Sequence, residues 1–467
     1  MGNGTSVNLR VTRPGVLQSL PAIFAISILA VPASQHPGAA LLLLLATAVL
    51  VLLLKSPAAA AGLLVIVLPL NRWAPYVGFY LRPYYLAAML VLMLYVWYWA
   101  SGQLRPVRLN MADIAVAGFF VCCLLSFLVS SELSWSVRKL MSLVWVSLVY
   151  LAIRVAIQNK TILQTVIASA GVSIGLLAAG GVLVAILFLQ RRMFPGLVLA
   201  YFGLPRLTYL NTDPNYYALH MGTYLAFTLA LLLLQPRSGV RAKWLLIVLL
   251  GMNVTLTLSR GATLALLALL LTMAVVFRAR ISRRMAIVAV IVVVCVAVIG
   301  AAFTPTWVWM YQWERLVGTV QDLTTGQDLR LPQFQAAWNN FIASPILGIG
   351  IGVSRAWEQY WRHAHCIVLE ILQDTGLVGF IGYVLMVGTV VRMGLQVVRR
   401  CSDSYLQSVA GALLVAMLYF HFQALTLNAV QDVMLWALMG LIVAVAIIAE
   451  KQQSQQLPQS KPGRYGR

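Results

Sequence analysis

His365 lies in the run Arg362-His363-Ala364-His365-Cys366, just ahead of the apolar stretch Ile367-Val368-Leu369-Glu370-Ile371-Leu372. An imidazole at the water-facing start of a membrane helix is neutral near pH 7 and can accept a proton, the chemistry of a general base. Helical N–H groups beside it disfavour its protonated form, which suits that role. If His365 opens the helix, Glu370 and Asp374 lie about 140° and 180° around it, so neither shares its face. A group that orients the imidazole must then come from elsewhere. Helical geometry would point His363, two residues away, elsewhere, so the two make a weak metal pair. The competing reading of His365 is an interfacial histidine with a structural hydrogen bond.

The second candidate is Arg260, in Thr257-Leu258-Ser259-Arg260-Gly261-Ala262 between two apolar runs. The glycine permits a sharp reversal or a close backbone approach. An arginine at that depth must pair or be hydrated, because leaving it in hydrocarbon costs about 2.5 kcal/mol or more. A bound phosphate would be one partner; a snorkelling arginine at a hairpin turn is the competing reading.

Composition determines what must position these residues. The chain has 467 residues, 61% hydrophobic and only 10% charged, which excludes a soluble globule. The expected fold is all-α: a polytopic transmembrane helical bundle of twelve to fourteen spans with a periplasmic helical and loop insertion. Apolar runs fall near 17–33, 38–54, 58–70, 82–101, 111–130, 140–157, 161–190, 216–235, 243–258, 262–277, 285–303, 371–392, 405–424 and 433–449. The first run lacks a cleavage site followed by a polar mature domain and reads as a retained span. The cysteines are scattered and suggest neither a disulfide framework nor a zinc site.

The formal charge of +21 reports topology before nucleic acid. With both termini inside, 21 of the 33 basic residues fall on the cytoplasmic side. The rest are Arg72, Arg82, Arg138, Lys139, Arg191, Arg192, Arg206, Arg260, Arg315, Arg330, Arg355 and Arg362, nearly all arginine. Arginine binds phosphate through a planar fork that stays charged, so the set points to an anionic ligand on the outer face. Singly, each could instead snorkel or pair with Glu132, Asp213, Glu314 or Glu358. The expected division is an N-terminal bundle (1–190), an interfacial segment (191–215), helices around the Ser-Arg-Gly hairpin (216–303), a large periplasmic loop (304–365), C-terminal spans (366–449) and a cytoplasmic tail (450–467). Tryptophans crowd the large loop, first as an interfacial belt and secondarily as sugar-stacking candidates.

Three stretches together resemble the O-antigen ligase and polymerase superfamily of bacterial inner-membrane glycosyltransferases. They are Thr257-Leu258-Ser259-Arg260-Gly261-Ala262; Arg330 with Trp338-Asn339-Asn340-Phe341-Ile342-Ala343-Ser344-Pro345-Ile346-Leu347-Gly348-Ile349-Gly350; and Ala364-His365 with Leu369-Glu370-Ile371-Leu372 and Gly376-Leu377-Val378-Gly379. Asp213-Pro214-Asn215 before a span is also similar. The resemblance covers roughly 191–424 and departs at Cys366, where the family often has asparagine.

This resemblance implies transfer of a glycan from undecaprenyl diphosphate to a lipid A core acceptor at the periplasmic face of the inner membrane. The transfer would invert configuration, without metal or cofactor and without nucleic acid. His365 would be the base, with Arg206, Arg260 and Arg191 on the diphosphate or a phosphorylated acceptor. Arg192, Arg330, Arg355, Arg362, Asp213 and Asn215 are further binding candidates. An O-antigen polymerase or a protein O-oligosaccharyltransferase would keep the donor and change the acceptor. An anionic-lipid transporter, with Arg154, His220 and His421 along its route, is the reading from another class; it would carry charges near mid-membrane, whereas most basic residues here sit at span ends.

Overall fold

The computed structural model describes residues 57–68, 82–102, 107–191, 198–201, 204–209, 211, 213–236, 238–278, 310, 317, 330–356 and 364–456. The chain divides into two compact units, Met1–Ala60 and Ala61–Arg467. Only the start of the first helix is described in the former, and everything below concerns the latter.

The helices in chain order are α1 (Pro57–Val67), α2 (Pro83–Ala100), α3 (Met111–Leu128), α4 (Leu133–Ala156) and α5 (Lys160–Arg191). A short hairpin follows, β1 (Val198–Tyr201) and β2 (Leu204–Leu207). Then come α6 (Pro214–Leu234), α7 (Val240–Leu256), α8 (Arg260–Val276), α9 (Arg330–Ala343), α10 (Val353–Ala356), α11 (Ile367–Arg400), α12 (Ser404–Ala424) and α13 (Val433–Gln456). Among the described residues, eight helices (α2 to α6 and α11 to α13) are long and apolar enough to cross a membrane, and α8 is a shorter apolar helix. The protein is thus an all-α, multi-pass membrane protein. The expected runs at 17–33, 38–54 and 285–303 lie outside the described residues.

The helices form because their apolar runs bury or face lipid with every backbone group paired internally. The central element is α13, with 89% of its span window buried against α4, α11 and α12. It carries no charge from Val433 to Ala449, as a helix surrounded by protein requires. Around it, α6 packs on α12 and α7, and α3 on α11.

Polar contacts define two ends of the bundle. At one, Lys160 pairs with Asp403 at 2.5 Å, Arg154 donates to the Arg108 carbonyl and Gln453 to that of Arg400. The other holds the starts of α4, α6, α8, α11 and α13 and the ends of α3, α7 and α12. Every candidate site residue whose side chain is described lies there.

One helix departs from expectation. At Gly376, α11 is broken, with φ 63°, a backbone that only glycine adopts at no steric cost. The break frees two amides and two carbonyls, and the loop at 344–352 takes up most of them. Leu377 N–H donates to the Pro345 carbonyl at 2.8 Å and Val378 N–H to that of Ile346 at 3.1 Å. Ile349 N–H donates to the Gln373 carbonyl at 2.9 Å, and the Ser126 hydroxyl to that of Asp374 at 2.6 Å. Non-helical backbone at this depth is tolerated where protein satisfies it in this way. Gly348 is required by the same contact: a Cβ there would strike the Asp374–Thr375 backbone.

Candidate functional site

The first part of the site is a corner where β2, the start of α6 and the α7–α8 turn meet. The β hairpin pairs Leu199 with Arg206 and Val198 with Leu207. Part of the segment expected at 191–215 to lie in the interface thus folds back as a two-stranded ribbon. Arg206 is 7% exposed. Its Nε donates to the Thr257 carbonyl at 2.8 Å and a terminal nitrogen to Asn215 Oδ1 at 2.9 Å. Asn215 Oδ1 also accepts from the Ser259 hydroxyl at 2.9 Å, and its carbonyl from Gln423 Nε2 at 3.0 Å. Asn215 is therefore the hub joining β2, α6, the α7–α8 turn and α12.

Asp213 caps α6, accepting from Asn215 N–H at 2.6 Å and Tyr216 N–H at 3.3 Å. Its carboxylate serves the helix and keeps Asn215 in place. Ser259 caps α8 in the same manner, at 3.4 Å from Ala262 N–H.

Arg260, half-buried, occupies the first position of α8. The chain reversal before it is made at Leu258, whose φ of 54° is left-handed, and not at Gly261. Gly261 provides close approach instead, since a Cβ there would collide with Thr426 Oγ1 in the α12–α13 loop.

His365 is half-buried with φ 40°, two residues before α11 starts at Ile367. It therefore stands outside the helix, and Cys366 is the cap residue, with extended backbone. The angles counted from His365 along a continuous helix therefore do not apply. Glu370 and Asp374, one turn apart on one face of α11, both meet Lys139 of α4: Nζ lies 2.5 Å from Glu370 Oε1 and 2.9 Å from Asp374 Oδ2. Sequence reading missed this pair of contacts. A lysine inside an apolar run and two acids at i and i+4 were the available signals.

Tyr209, Leu258 and His365 are the non-glycine residues with left-handed backbone among those described. Tyr209 lies between Arg206 and Asp213, Leu258 two residues before Arg260, and His365 is itself a candidate. Such conformations cost about 1–3 kcal/mol each and cluster where function holds the chain in place.

Arg191 is the last residue of α5, Arg330 the first of α9, and Arg355 lies in α10; Arg192 and Arg362 fall outside the described residues. Arg154, His220 and His421, weighed as a transport route, are engaged by partners. Arg154 pairs with Asp113 at 2.6 Å, His220 Nε2 meets Asp432 at 3.0 Å, and His421 Nε2 lies 2.9 Å from the Tyr383 hydroxyl. Among the described residues no group of three or more metal-ligating side chains gathers.

No curated protein matches the chain. Residues 245–384, under a third of the length, match the family model described as O-antigen ligase. That stretch contains the Ser259-Arg260 turn, the loop at 344–352, His365 and the break in α11. Over that stretch the chain is similar to the O-antigen ligase family, which supports a likeness to the O-antigen ligase and polymerase superfamily.

Proposed function

We propose that this protein is an O-antigen ligase of the bacterial inner membrane, moving a glycan from undecaprenyl diphosphate to a sugar hydroxyl of the lipid A core. The end of the bundle that gathers Arg206, Arg260 and His365 would face the periplasm, with both termini in the cytoplasm. The opposite end, with Arg108, Arg154, Lys160, Lys243, Arg399 and Arg400, fits the cation-rich cytoplasmic side.

The observation that carries this reading is Arg260 at the first position of α8. A helix N-terminus favours an anion, and a guanidinium at the same place adds a planar fork of donors that matches phosphate oxygens. A diphosphate could thus be held by the guanidinium and the helix end together. Arg206, engaged with Thr257 and Asn215, supports the turn that presents Arg260.

In the reaction, the acceptor hydroxyl attacks the anomeric carbon while His365 takes its proton. The bond from that carbon to the diphosphate oxygen breaks, and its electron pair leaves on the diphosphate. Arg260, with Arg191, Arg192, Arg330, Arg355 and Arg362 as further candidates, would neutralise the charge that develops. Attack opposite the leaving group inverts the anomeric centre.

The test is reconstitution of the pure protein with a lipid-diphosphate glycan and lipid A core in the presence of a chelator. Transfer to the core is expected, and His365→Ala should lower it by about 10²–10⁴-fold in a folded protein. Extension of the lipid-linked glycan without transfer to the core would identify a polymerase instead. Full activity of folded His365→Ala would remove the assignment of the base.

A further inference from the structure

We propose that Lys139, Glu370 and Asp374 form an ionic lock that positions His365, so that Lys139 governs turnover without touching substrate; this rests on the function proposed above. The lock ties down both ends of one segment. At residue 352, the Gly352 N–H donates to Asp374 Oδ2 at 3.0 Å, on the same oxygen that Lys139 holds. At the far end, Lys139 holds the Glu370 carboxylate, and the Glu370 N–H closes the first turn of α11 on the Cys366 carbonyl at 2.8 Å, next to His365. His365 stands between these anchors in the chain.

The centre is built into the fold. Its three side chains are 4%, 4% and 2% exposed. The approach is close as well: a Cβ on Gly352 would press on the Trp135 carbonyl and Lys139 Cβ, so only glycine lets the loop reach α4. Ser126 of α3 adds its bond to the Asp374 carbonyl, so α3, α4, the loop and α11 converge here. Among the described residues, Glu370 Oε2 and Asp374 Oδ1 have no hydrogen-bond partner. Both residues, with Lys139, line a cavity of about 10 Å³, the room of a single water.

Among the described residues, two carboxylates meet one ammonium in a buried place. Apolar side chains of similar size would stabilise the site at least as well. What the ions contribute is geometry: Lys139 can satisfy both acids only when the loop and the first turns of α11 hold one arrangement. A small displacement of a catalytic group is costly in rate, which makes that arrangement a condition of turnover.

The experiment uses the full chain in lipid nanodiscs, with Lys139→Met and the charge-free Lys139→Met/Glu370→Gln/Asp374→Asn. The second variant leaves no unpaired buried charge and decides the matter if the first fails to fold. Hydrogen exchange at the amides of Ile349 and Gly352 should accelerate about tenfold while exchange in α6 and α13 stays unchanged. With the lipid-diphosphate glycan as donor, kcat should fall about tenfold to a hundredfold with KM held. Wild-type exchange and kcat in the charge-free variant would overturn the lock, as would a rise in KM at constant kcat. If wild type itself transfers no glycan, the proposed reaction fails, and the exchange data still decide whether the lock exists.

Discussion

Two polar corners at the same end of this bundle solve different problems. Around Asn215, most links are single hydrogen bonds to neutral acceptors, and two arginines, Arg206 and Arg260, stand against the one capping carboxylate of Asp213. Around Lys139 the links are ionic, and acid outnumbers base. The first corner is suited to receive an anion from outside. The second is closed on itself and serves to hold backbone. A buried charge alone therefore does not mark a ligand site; the sign left over and the partners already engaged do.

The comparison can be broken most severely at Lys139. Replacing it by methionine leaves two buried carboxylates with no cation, and the fold should lose about 3–5 kcal/mol, read as a lower thermal midpoint in detergent. Neutralising Glu370 and Asp374 as well should recover most of the loss. At the other corner, Arg206→Met removes the donors to Thr257 and Asn215, and the predicted cost is about 1–3 kcal/mol in the same assay. A loss at Arg206 as large as at Lys139 would mean that both corners are ionic in character.

A finer probe is Gly261→Ala. Its methyl meets Thr426 Oγ1, so overpacking of about 1–3 kcal/mol is expected and should be relieved by adding Thr426→Ala. The smallest effect is expected at the opposite end. Burial pushes the Asp403 carboxyl up, but hydrogen bonds from Lys160 and from the Leu406 and Tyr405 amides outweigh it and hold the group below its ordinary range. Its contribution is thus present above about pH 4 and fades as pH falls through the lowered value, less than about 1 kcal/mol in all. Asp403→Asn should abolish that part of the acid dependence.

Much of the architecture was legible because hydrocarbon imposes a simple rule on sequence. The runs at 82–101, 111–130, 405–424 and 433–449 correspond to α2, α3, α12 and α13 within a few residues. The Ser259-Arg260-Gly261 turn and His365 were legible as polar residues at the edges of such runs. Other features were hidden because they depend on partners far away in the chain. Lys139 and Glu370 are separated by 231 positions, so neither run announces the other. The break at Gly376 reads as an ordinary glycine in a helix until the loop at 344–352 supplies its hydrogen bonds. Arg206, a candidate ligand by residue type, also braces the Thr257 turn and Asn215, a role that residue type alone does not announce. The strands at 198–207 are too short and too apolar to be told from an interfacial segment by pattern.

The broken helix also settles a matter of length. After Gly376, residues 377–400 make a helix of about 36 Å, enough by itself to cross a hydrocarbon layer of about 30 Å. The two turns before the break are thereby released from the work of spanning. They can carry acids that no lipid-facing helix would tolerate, and they set His365 beyond the span without lengthening it. A membrane that thickens or thins acts on residues 377–400, while the turns that carry the acids stay fastened to the loop and to α4.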